Sequence, residues 1–151
     1  YLKGNKEENR PHYYCTKDKN GGLYWVIPSS SRVEKYGKII HNKVQKYGSC
    51  DILYIMEIAN RKNVLLIQDM FPITKEYFLR EYTINGIPLR ILDNKEIKII
   101  EQKFKKVLSL IRRGVKFTRT QPDVLSIEKA FLLQMETEKQ VAATVDPESK
   151  E

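Results

Sequence analysis

Hydroxyls, cations and a helix start coincide at one place in this chain, the segment Ile27-Pro28-Ser29-Ser30-Ser31-Arg32-Val33-Glu34-Lys35-Tyr36. That set of groups suits phosphoryl chemistry on RNA. The 2′-hydroxyl of an RNA substrate attacks its own phosphorus, so a protein that cuts it without metal supplies no nucleophile. It supplies a base, an acid for the 5′-oxygen, and donors for the charge that builds on the phosphorane. Unpaired N–H groups at a helix start bind phosphate, and Ser30, Arg32 and Lys35 would project near that end, with Lys38 one turn further on. An ordinary structural explanation stands beside this one, because Ser31-Arg32-Val33-Glu34 matches the S-x-x-E capping box. The two are compatible. Capping accounts for one serine, not three in a row.

Two further groupings carry charge. Arg10-Pro11-His12 leads into an aromatic strand. His12 titrates near neutral pH and could serve as acid or base, although a lone histidine among tyrosines is more often a strand residue with no chemistry. Arg10 suits a phosphate clamp, since guanidinium is rarely buried unpaired. The run Arg112-Arg113-Gly114-Val115-Lys116-Phe117-Thr118-Arg119 ends a helix and enters a loop. Its cations complement the helix macrodipole, and with Phe117 interleaved they equally suit a groove that holds single-stranded RNA by phosphate contacts and stacking. His41, on a charged helix face, reads as ordinary surface. With two histidines and two cysteines, Cys15 and Cys50, there is no ligand spacing for zinc. No metal and no other cofactor is expected, and both thiols read as reduced.

The scaffold for these groups comes from periodicity. Residues 12–17 and 23–27 read as aromatic strands around Asp18-Lys19-Asn20-Gly21-Gly22, a hairpin that Pro28 ends because proline cannot donate to a ladder. Over residues 32–47, Val33, Tyr36, Ile40, Val44 and Tyr47 fall three or four apart and lay one apolar stripe on a helix stopped by Gly48. Apolar runs at 51–59 and 64–71, joined by the polar turn Asn60-Arg61-Lys62-Asn63, predict strands buried at the centre of a sheet. Residues 73–82 read as a helical turn or an irregular edge, and Asn85-Gly86 marks a hairpin within 83–92. Ile97, Ile100, Phe104, Val107 and Ile111 share one face of a helix over 94–113, with Asn94 as cap and Gly114 as stop, and a last helix spans 123–138. A strand-rich front half with one inserted helix, then two helices, makes an α+β domain. Its strands are antiparallel, in a strongly curved sheet or half-open barrel flanked by helices. One domain over 1–138 is expected, with a polar, acidic and disordered tail over 139–151.

Charge narrows the class of partner. The chain of 151 residues carries a net +8, and residues 136–151 hold five acids against two bases, so the body before them carries +11. Such a field attracts polyanions through counterion release. No stretch approaches the roughly 20 apolar residues of a membrane span, and Tyr1-Leu2-Lys3-Gly4 lacks the layout of a signal peptide. A soluble, cytoplasmic protein with no membrane partner is the expectation.

The succession of Arg10-Pro11, then Leu23-Tyr24-Trp25-Val26-Ile27-Pro28, then Ser29 to Tyr36, then Ile67-Gln68-Asp69-Met70-Phe71-Pro72 resembles the ToxN/AbiQ/CptN family, and within it the CptN branch. These are endoribonuclease toxins of type III toxin-antitoxin systems, which act in phage abortive infection. The resemblance covers residues 10–131. It implies a curved antiparallel sheet, a partial barrel like that of the MazF/Kid toxins. It implies metal-independent cutting of cellular or phage RNA at adenosine-rich sites, leaving 2′,3′-cyclic phosphate. It also implies inhibition by a repeated pseudoknot RNA antitoxin that the toxin processes, with several toxins and RNAs closing into a ring. By position, the family's Ser/Thr pair after the proline falls on Ser30 and Ser31, and the basic residue before the first strand falls on Arg10. Arg32 and Lys35 compete for the basic residue that comes after the pair.

The leading expectation is therefore catalysis by Arg10, Ser30, Ser31 and Lys35. RNA binding falls to His12, Arg32 and Lys38, and the antitoxin is gripped by Arg112, Arg113, Lys116 and Arg119. Two rivals stay open: a non-catalytic RNA-binding protein using the same basic face, and a ribonuclease restrained by a protein antitoxin. The first of these needs no dependence on Ser30.

Overall fold

The first hairpin forms where the aromatic runs place it, β1 (Tyr14–Lys17) lying antiparallel to β2 (Tyr24–Ile27). The computed structural model describes residues 14–17, 22–78 and 80–145. Arg10, His12 and residues 146–151 lie outside them. Trp25, Val26 and Ile27 are all buried, as a central strand requires, since β2 sits between β1 and β6 (Phe71–Ile73).

Pro28 ends β2, and the chain continues as β3 (Ser29–Ser30) in a second sheet of order β3-β5-β4. Its middle strand β5 (Arg61–Leu66) is buried at its end, whereas β4 (Leu53–Ile58) is an edge. After Leu66 the chain turns through a 3-10 helix, Ile67–Asp69, and returns to the first sheet as β6. The run 64–71 is thus not one strand. Between the pairs Val26–Phe71 and Ser29–Leu65, two residues of the first stretch face five of the second, and the surplus is the 3-10 turn. Extra residues on one strand of an antiparallel pair bend the ladder and redirect the chain beyond them. The Leu66 N–H donates to the Pro28 carbonyl at 2.8 Å and the Gln68 N–H to the Ile52 carbonyl at 3.1 Å, so the corner keeps its backbone groups satisfied.

The β4–β5 connection also differs from expectation. It is the pair Ala59-Asn60, with φ of 52° and 61°, and Arg61, Lys62 and Asn63 belong to the strand. Positive φ at both central residues twists a hairpin with its strands, which outweighs the turn preference of the polar residues after it. Asn85-Gly86 does the same between β7 (Thr83–Ile84) and β8 (Ile87–Pro88), as predicted.

Helix α1 (Val33–Tyr47) buries no residue completely and lays Val33, Tyr36 and Ile40 on the core, stopped by Gly48 at φ 79°. Val44 and Tyr47, which the stripe predicts inward, are 42% and 62% exposed, and neither packs on the core. Helix α2 (Asn94–Arg112) buries Ile100, Phe104, Val107 and Ile111. Its cap is Asp93, not Asn94, the carboxylate accepting the Lys95 N–H at 2.8 Å. Lys103 donates to the Cys50 carbonyl at 2.6 Å, and Lys106 pairs with Asp51 at 2.6 Å, pinning α2 to the segment before β4. Helix α3 (Val124–Thr144) runs past Glu138, its expected end, and packs on β6. The architecture is mixed α+β with antiparallel sheets, and no barrel closes among the described residues. No helix among them is long and apolar enough to cross a membrane.

One tie between sheet and helix is titratable. The Tyr54 hydroxyl donates to Glu96 at 2.6 Å, and its pKa is pushed from 10.0 up to about 12, first by burial and then by that bond. The folded state therefore holds a proton that the unfolded chain releases between those values. This contribution to stability is complete below pH 10 and is lost as pH rises toward about 12. Tyr54→Phe is expected to cost about 1 kcal/mol at neutral pH and to flatten this part of the alkaline decline. Urea unfolding of both proteins across that range checks it.

Candidate functional site

Strand pairing decides where the serines go. Ser29 lies opposite Leu65 and Ser30 opposite Val64, so both belong to the sheet, and the helix begins at Val33. Its N-cap position is Arg32, with no side-chain cap bond, and the Ser31 carbonyl accepts the Val33 N–H at 2.8 Å. The predicted capping box is thus not formed: β5 claims the residues before Ser31, and the turn into the helix comes one residue late. The Ser30 hydroxyl oxygen accepts the Arg32 N–H at 3.2 Å, which holds that side chain and leaves its own proton to donate elsewhere. Ser31, Arg32, Lys35 and Lys38 are exposed around it. Lys35 leans over the Tyr36 ring, its Nζ 5.4 Å from the centroid. Among the described residues none of Arg32, Lys35 or Lys38 is ion-paired.

The register adds a cation that sequence reasoning assigned to a turn. Ser30 pairs with Val64, and Lys62, two residues along β5, shares their face of the sheet. It is exposed and stands opposite Glu57. The signal was the two-residue hairpin at Ala59-Asn60, which brings Lys62 into the strand.

The corner between the sheets holds a second group that residue type and spacing did not point to. Asp69, on the 3-10 turn, is half-buried, and burial raises its carboxyl above the ordinary range, with a Gln68 hydrogen bond acting the other way. The same turn anchors the second basic cluster. Gln121 donates from Nε2 to the Gln68 carbonyl at 3.3 Å, while its Oε1 accepts the Phe117 N–H at 2.8 Å. The loop bearing Lys116 and Arg119, both exposed, is thereby fastened to the turn whose neighbour Leu66 bonds Pro28, just before the serines. Phe117 packs against the core, which makes it a poor stacking surface. Arg112 is held by Glu128 of α3 at 3.0 Å and Arg113 by the Ser109 hydroxyl at 3.0 Å, so these two are partly committed to structure.

Ser30, Ser31, Arg32 and Lys35 thus lie along the entry to α1, Lys62 shares a sheet face with Ser30, and the Lys116–Arg119 loop is tied to the adjoining corner. Arg10 and His12 fall outside the described residues. A cleft of about 560 Å³ opens elsewhere, against the C-terminal half of α3, and no candidate residue lines it. No model of a known protein family matches the chain, and no curated protein matches its sequence.

Proposed function

We propose that the chain is a metal-independent endoribonuclease, the cytoplasmic toxin of a type III toxin-antitoxin system. One observation carries the reading. At the strand end before α1, the Ser30 hydroxyl is fixed by a backbone N–H while Ser31 and the cations beside it are not consumed by capping or ion pairs among the described residues. Such a cluster has no role in the core and a ready one on phosphate. Ser30 and Ser31 hold the scissile phosphate, and Lys35, with Arg32 beside it, offsets the charge of the phosphorane. The O2′–P bond forms, the P–O5′ bond breaks, and the proton leaving O2′ is balanced by one reaching O5′. The products are a 2′,3′-cyclic phosphate and a 5′-hydroxyl, with no water consumed.

Adenosine-rich RNA of the cell or of a phage is the substrate, and a pseudoknot RNA antitoxin, processed by the toxin, is the inhibitor. Toxin and RNA copies close into a ring, in which Arg112, Arg113, Lys116 and Arg119 grip the antitoxin. The sheet is the partial barrel of the MazF/Kid type, a reading supported by the two stretches of chain that pass from one sheet to the other.

The test is incubation of the purified protein with an adenosine-rich RNA in EDTA, beside Ser30→Ala/Ser31→Ala. Cleavage with cyclic-phosphate ends by the wild type alone is the expected result. Tight binding with no cleavage by either protein sinks the enzyme and leaves an RNA-binding module.

A further inference from the structure

We propose that the C-terminal end of α1 is a subsite for single-stranded RNA, in which a base stacks on the ring of Tyr47 and flanking phosphates are held by Lys43 and Lys46. This subsite rests on the ribonuclease reading and extends it along the helix. The Tyr47 ring is 62% exposed, with the Lys43 and Lys46 ammonium groups 5.5 Å and 5.1 Å from its centroid. Both ammonium groups lie over the ring and must swing away to meet phosphates before a base can stack on it; an exposed aromatic ring beside mobile cations is the combination by which proteins hold successive nucleotides without reading sequence.

The rest of the helix points the same way. Lys35, Lys38, Lys43 and Lys46 stand against one acid, Glu34, and none of the four is ion-paired among the described residues. On α2, by contrast, three of the six cations, Lys103, Lys106 and Arg112, meet carboxylates. Lys35 and Lys38, like Lys43 and Lys46, are spaced three apart, where like charges destabilise a helix. The macrodipole accounts for cations in the last turn but opposes them in the first. Stability therefore does not explain the set, whereas an incoming phosphate chain does. Lys35, Lys38, Asn42 and Lys46 succeed one another at three- and four-residue steps along the outward side, starting beside Ser30 and Ser31 and ending at Tyr47. The apolar residues Val33, Tyr36 and Ile40 turn to the core, while Ile39, Val44 and Tyr47 stay exposed among the lysines of the same helix.

The test is fluorescence anisotropy with a labelled 2′-O-methyl oligoadenylate of about 12 nucleotides, which lacks the attacking hydroxyl and cannot be cut. Tyr47→Ala is expected to weaken binding roughly 5- to 100-fold, and Tyr47→Phe to bind as the wild type does. Lys43→Gln/Lys46→Gln is expected to reduce the slope of log affinity against log salt by about 1.4. Unfolding curves matched to the wild type establish that an exposed position has been changed without loss of fold. Wild-type binding with Tyr47→Ala unaffected overturns the subsite and leaves the ribonuclease standing. Absence of wild-type binding also overturns it, and the metal-free cleavage assay then shows whether the ribonuclease reading survives.

Discussion

Trp25→Ala is expected to lower the unfolding free energy by about 3–5 kcal/mol, seen as a large drop in the urea midpoint with little change in slope. The indole is 1% exposed on the central strand of its sheet, between Thr16 of β1 and Pro72 of β6. On its helix side it meets the Phe104 ring edge-on, centroids 6.2 Å apart and planes at 66°. Alanine removes the contact between sheet and α2 and leaves a hole that backbones on both sides prevent from closing. Against the total of about 5–15 kcal/mol typical of a domain, such a loss takes a large share. Trp25→Phe keeps an aromatic partner for Phe104 and should recover part of the stability. A cost for alanine under about 1 kcal/mol would mean that this part of the core is not close-packed.

That core was legible because its residues repeat at the period of their element. Ile100, Phe104, Val107 and Ile111 share a helix face by spacing alone, and each is buried. The hairpins at Asn85-Gly86 and before Pro28 were legible from turn chemistry. What escaped was set by pairing between distant segments. Nothing local in Ile67-Gln68-Asp69 distinguishes a 3-10 corner from a continuing strand; the corner exists because one stretch needs fewer residues than its partner to pass between the sheets. The same pairing takes Ser29 and Ser30 away from the helix to which their residue types would assign them. Lys62 joined the candidate site only once its register was visible, and Gln121 only once its amide was seen bridging two loops. The candidate segment was chosen from its residue types. That Ser30 would be held in a strand while Ser31 stays at an exposed bend was not visible there.

Of the two serines, Ser30 is expected to matter more: Ser30→Ala should slow cleavage by about 10²–10³, and Ser31→Ala by no more than about tenfold. The difference comes from what holds each side chain. Ser30 sits in a strand pair and its oxygen accepts the Arg32 N–H at 3.2 Å, which directs the hydroxyl proton away from the helix start. A donor fixed before the substrate arrives loses little freedom as charge develops, and such donors contribute most to rate. Ser31, at an exposed bend, must be ordered by the substrate itself. Removing the Ser30 hydroxyl also strips Arg32 of an acceptor, but that N–H lies where water can replace it, so the stability cost should stay below about 1 kcal/mol. A loss of rate at unchanged stability therefore cannot be unfolding. Ser30→Thr keeps the oxygen in a residue that suits a strand and should retain most of the activity. Single-turnover cleavage at saturating protein, in EDTA, separates this step from binding. If Ser30→Ala cuts at the wild-type rate while Ser31→Ala fails, the held hydroxyl is structural and the scissile phosphate sits one residue further toward α1.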